Sequence, residues 1–232
     1  MTQRTDYVVR RRLRSPRSAA IAGIIYSILM TTGMVLVYNI TTDLPEDITK
    51  AWLDAWSDRA SVALTLVPFA GIAFLWFTGV VRERLGEHED QLFATIFLSS
   101  GIITVVLLFI WSAIFAALMR TSSLAAIGLA DDDVYVFGFA LMNRIIGDYT
   151  LRMAGVFMIA IGTLWTRSGI MPRWLAIITY VLALGFLLAA SWVREARFIF
   201  PVWVFVVSVY ILVLNYRQTH DPQARNEPVK DD

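Results

Sequence analysis

Cysteine is absent from the chain, which excludes disulfides, thiolate nucleophiles, cysteine-ligated zinc, iron–sulfur clusters and thioester chemistry. Histidine is nearly absent: His88 and His220 are the two imidazoles, so one copy cannot build a haem held between helix histidines or a histidine-rich metal site. No metal site and no cofactor is expected. Charge is sparse too, with 17% of residues ionisable as Asp, Glu, Lys or Arg and a formal net charge of +1. So small an excess gives no ground for a nucleic-acid partner.

What the sequence has instead is apolar surface. Hydrophobic residues make up 57% of the chain, against about 45–50% in soluble domains. They fall into runs of about 20 residues, the length that crosses about 30 Å of hydrocarbon. The expected fold is all-α: a polytopic membrane helix bundle of six transmembrane helices, both termini cytoplasmic, in the bacterial inner membrane. Its constant partners are membrane lipids.

Residues 1–17 carry Arg4, Arg10, Arg11, Arg12, Arg14 and Arg17 ahead of an apolar run from Ser18 to about Asn39. No small-residue cleavage pattern ends that run, so it reads as an uncleaved signal anchor with the N-terminus in the cytoplasm. Ala19, Gly23, Ser27 and Thr31 recur every four residues along it and predict close approach of another helix. A polar conduit lined by Thr31 and Thr32 is the alternative. Beyond it, Asp43 and Glu46 form a capping-box-like pair, and Leu44, Ile48, Trp52 and Trp56 form a stripe suited to a helix lying in the outer interface or over the bundle as a lid.

A second span is expected over 61–81, with Pro68 inside it, and a third over 92–118, with Ser99, Ser100 and Gly101 permitting close packing. Between them Glu87, His88, Glu89 and Asp90 sit on a tight loop and read as solvated. Asp131, Asp132 and Asp133 precede the fourth run, where they complement a helix N-terminus. A turn over 167–173, a fifth span over 174–192 and a sixth over 198–216 complete the transmembrane domain, residues 18–216. Residues 217–232 read as a disordered cytoplasmic tail. With Arg144 and Arg152 set aside, 13 Lys or Arg fall on cytoplasmic stretches and five outside, as the positive-inside rule requires.

The fourth run, 134–165, holds the candidate site. Asn143, Arg144, Asp148 and Arg152 interrupt it, and a charge at mid-membrane costs about 2.5–3.5 kcal/mol on the insertion scale. As one helix it would be about 50 Å long, so it must protrude or break, and Gly147 is the expected break. Counting back about 20 residues from Trp165, taken as an inner-interface anchor, puts these charges in the outer leaflet. Arg144, Asp148 and Arg152 lie four apart, within an arc of about 80° that also takes in Gly155 and Gly162. That stripe is expected to face protein, with Ile146, Met153, Phe157 and Leu164 facing lipid. Glu195, in the loop after the fifth span, belongs to the same side.

The six-span layout, the segment AFLWFTGVV followed by RERLGEHEDQ, and the turn SGIMPRWLA resemble uncharacterised bacterial six-helix integral membrane proteins. The resemblance covers residues 18–216 and implies no catalytic residues. The expected role is non-enzymatic: transport of a small solute, or an accessory or sensory subunit with a protein partner or a second copy. Arg144, Asp148, Arg152, Asn143 and Glu195 are the candidate ligand-binding residues. The alternative is a lipid-modifying enzyme with Asp148 as acid or base and Arg144 or Arg152 gripping a phosphate.

Overall fold

The computed structural model describes residues 15–42, 50–84, 91–125, 132–169, 171–189 and 192–220. The Asp43/Glu46 pair, the acidic loop around His88, Asp131, the arginines up to Arg14 and the tail from 221 lie outside them. The described chain is helical, without strands: α1 Ser15–Thr42, α2 Lys50–Arg84, α3 Gln91–Ala125, α4 Asp132–Arg144, a π-helical segment Ile145–Thr150, α5 Leu151–Arg167, α6 Arg173–Leu188, a 3-10 turn Arg194–Phe198 and α7 Ile199–His220. Counting α4, the π segment and α5 as one rod, the described residues form six rods.

Five of the six rods are long and apolar enough to cross a membrane; α6, with 16 residues, is not one of them. At 1.5 Å per residue it reaches about 24 Å, short of about 30 Å of hydrocarbon. A fifth span over 174–192 is therefore corrected to a shorter helix followed by a 3-10 turn. A separate interfacial helix around Trp52 and Trp56 is corrected as well. From Lys50 onward those residues are the first turns of α2, and both tryptophans are half-buried against the core.

Apolar surroundings oblige every backbone group to bond within its own helix. The short polar side chains comply by turning back onto their own backbone. Ser27 donates to the Gly23 carbonyl at 2.7 Å, Thr78 to Phe74 at 2.9 Å, Thr104 to Ser100 at 2.8 Å and Thr163 to Ile159 at 2.8 Å. Helix α2 runs through Pro68 without interruption. The chain turns after α5 at Gly169, whose φ of +68° suits a residue without Cβ, and the Met171 N–H closes back on the Trp165 carbonyl at 3.2 Å. Pro172 then caps α6 in an extended conformation.

Packing neighbours run α7, α1, α2, α3, α5, α6, and the Trp203 indole N–H donates to Thr179 at 2.9 Å to join α7 back to α6. Aromatic rings fill the middle. Phe157 of α5 is the hub, with ring centroids 4.7 Å from Phe97, 5.1 Å from Phe74, 6.0 Å from Phe200 and 6.4 Å from Trp203. Tyr26 lies tilted against Phe74, with ring centroids 4.8 Å apart. A Cβ on Gly101 would stand 3.2 Å from the Phe157 ring, so this glycine makes room for the hub.

The small-residue ladder of α1 does what its spacing predicts. Ala19, Gly23 and Ser27 are buried, and a Cβ on Gly23 would stand 2.0 Å from the Ser208 hydroxyl of α7. Thr32, by contrast, is on the exterior.

Candidate functional site

The rod from Asp132 to Arg167 does not break at Gly147. It widens there into one π turn, in which the Leu151 N–H bonds to the Ile146 carbonyl and the Thr150 hydroxyl to the Ile145 carbonyl at 2.9 Å, both five residues back. The turn holds Asp148 between two arginines. Arg144 Nη1 is 3.0 Å from Asp148 Oδ2, and Arg152 Nη1 is 3.1 Å from Oδ1, so each carboxylate oxygen takes one guanidinium. Arg152 Nη1 also donates to the Asp148 backbone carbonyl. Three residues predicted to share a stripe are thus brought together into one ladder.

The environment of that ladder differs from expectation. Side-chain exposure is 74% at Arg144, 38% at Arg152 and 18% at Asp148, which puts the outer rung at the perimeter of the bundle. Ile146, Phe157 and Leu164, expected to face lipid, are exposed by 0–1%. The reason is twofold. An extra residue in the π turn rotates the residues beyond it by about 100° relative to an unbroken α-helix. Moreover, α5 lies in the interior, with α3 on one side and α6 on the other, so it has little outer face.

Gly155 and Gly162 do face protein. A Cβ on Gly155 would meet the Ala183 carbonyl at 3.0 Å, and one on Gly162 would meet Thr179 at 3.3 Å. Trp165 is 5% exposed and packs into the bundle.

Asn143 stands one residue before the ladder, and its Oδ1 is buried without a hydrogen-bond partner among the described residues. Glu195 sits in the 3-10 turn, which packs beside the π segment, so the two acids share one end of the molecule. It does not join the ladder. Its Oε1 accepts from the Tyr38 hydroxyl of α1 at 3.2 Å. The Tyr38 ring in turn meets Phe198 edge-on at 5.7 Å and carries two guanidinium groups, Arg194 at 5.7 Å and Arg197 at 5.9 Å from its centroid.

Arg197 is 6% exposed and gives its Nε–H to the Arg194 carbonyl at 2.8 Å. Tyr38, Arg194 and Arg197 thus complete a corner in which the sequence places Arg194, Glu195 and Arg197 in one loop, with Glu195 as the candidate ligand residue, and gives no mark to Tyr38. The burial of Arg197 has no signal in the sequence beyond its place at the threshold of the last apolar run.

No protein-family model matches the chain, and no curated protein or solved structure matches it either. What the fold defines is a class: an apolar all-helical bundle, compatible with an integral membrane protein, with five helices long and apolar enough to span a bilayer.

Proposed function

We propose that the chain is a multi-span protein of the bacterial inner membrane, both termini cytoplasmic, serving as an accessory or sensory subunit of a larger membrane assembly rather than as an enzyme. The observation that carries this reading is the distribution of rings and charges. Tyr26, Phe74, Phe97, Phe157 and Phe200, each 0–3% exposed, occupy the centre where a solute path would run, while the ladder stands at the perimeter of one end. Groups on the outside serve contact with lipid and with other chains.

Small-solute transport is the second reading, favoured by the ladder's two arginines against one aspartate, which leave a positive excess in low-dielectric surroundings. A lipid-modifying enzyme would use Asp148 as acid or base with Arg144 or Arg152 on a phosphate. Both Asp148 oxygens already accept from arginine, which weakens that alternative.

The test is native mass spectrometry of the chain purified from its own membrane in mild detergent. A stoichiometric protein partner is the expected result, and a clean monomer or homodimer would overturn the accessory role. In liposomes the chain is expected to add no anion leakage over empty vesicles. Flux abolished by Arg152→Ala without loss of thermal stability would establish the transport reading instead.

A further inference from the structure

Arg197 is 6% exposed and, although Glu195 stands close enough to favour its charge, makes no contact ion pair: among the described residues no carboxylate oxygen lies within 4.0 Å of it. Its one hydrogen bond among those residues uses Nε, which leaves both terminal nitrogens of the guanidinium uncommitted. Arg194 shares the same tyrosine ring instead of standing apart from a like charge. Glu195, the acid that sits between them in sequence, is held by the Tyr38 hydroxyl. Two guanidinium groups gathered against one carboxylate leave a local positive excess, and such an arrangement has room for an anion. A planar guanidinium fork with free terminal N–H groups fits the oxygens of a phosphate.

The position narrows the source. Arg197 stands where the apolar run of α7 begins, and the net-positive Arg144, Asp148, Arg152 ladder lies on the neighbouring segment. That is the level at which phosphate headgroups meet hydrocarbon in a bilayer.

We infer that Arg197 and Arg194, presented on the Tyr38 ring, form a binding site for the phosphate group of an anionic phospholipid. The site rests on the membrane reading of the chain and is independent of the accessory role. Tyr38 and Glu195 act as positioning residues. The hydroxyl fixes one oxygen of the carboxylate short of a contact pair with the arginines, and the ring face supports both guanidinium groups.

The full-length chain in mild detergent, titrated with phosphatidylglycerol, phosphatidylcholine or inorganic phosphate, tests this by native mass spectrometry and thermal shift. Phosphatidylglycerol is expected to be retained over phosphatidylcholine. Arg194→Ala is expected to lower retention by about tenfold, the equivalent of one charge-assisted hydrogen bond. Glu195→Gln keeps an acceptor for Tyr38 and removes the competing charge, so it is expected to raise retention. Arg197→Ala abolishes binding if it folds; should it fail to fold, Arg194→Ala and Glu195→Gln decide.

A shift with millimolar inorganic phosphate, lost in Arg194→Ala and without selective retention of phosphatidylglycerol, keeps the phosphate site and assigns it to a soluble source. Retention unchanged across Arg194→Ala and Glu195→Gln overturns the inference. Recovery of the chain in the soluble fraction without detergent would instead overturn the membrane reading.

Discussion

The ladder on the π turn and the corner at Tyr38 each bring two arginines to one acid, yet only the ladder pairs them. In the ladder the partners are neighbours on one helix, and Asp148 reaches both arginines within 3.1 Å. In the corner, Glu195 has arginines on either side in sequence and bonds to neither, because a tyrosine from α1 claims it. Equal charges therefore have different fates according to whether their partners come from the same helix or from across the bundle. The ladder is a local device that the π turn tunes. The corner is a tertiary joint that fastens the end of α1 to the start of α7.

That contrast predicts a graded set of effects. Tyr38→Ala should cost most, about 2–4 kcal/mol, since it removes two cation–π contacts, an edge-on ring contact and a hydrogen bond together. Thermal unfolding in detergent measures it, and the loss should persist at high salt. A cost below that of Asp148→Asn would mean that the corner is not a joint.

Asp148→Asn should cost about 1 kcal/mol, the sum expected of two i,i+4 ion pairs, and raising the salt to about 1 M should erase much of the difference. A loss that is both larger and indifferent to salt would show the ladder to be buried by lipid or by a partner. Gly147→Ala should have the smallest effect, a gain of up to about 1 kcal/mol, because a Cβ there meets nothing within 4 Å and the chain is helical on both sides. Loss of stability in that variant would mean that the turn needs the glycine after all.

The same contrast explains which features could be read from the chain. Apolar runs and small-residue spacing announced the helices, the close approach at Gly23 and the turn at Gly169, since each depends on residues near in sequence. The Arg144, Asp148, Arg152 ladder was legible for that reason. Its orientation was not: a helical count at 100° per residue assumes an unbroken α-helix, and the π turn shifts the phase between Arg144 and Leu151. Nor did composition distinguish an interior helix from a peripheral one. Phe157 looked like a lipid-facing residue and is instead the hub of the core. The Tyr38 corner depends on four residues from two distant segments, and nothing in local spacing joins residue 38 to residues 194–197.

Helix α6 has a consequence outside chemistry. Its 16 residues extend about 24 Å while its neighbours extend further, so in a membrane the bundle would offer lipid unequal thickness around its circumference. In a bilayer of about 30 Å, acyl chains beside Ile177, Val181 and Leu184, all exposed, must shorten by several ångströms or tilt to cover the end of the helix. Such hydrophobic mismatch costs fractions of a kcal/mol per ångström, and it is relieved when another short surface is laid against it. The shallow side of the bundle is therefore where membrane elasticity alone favours company.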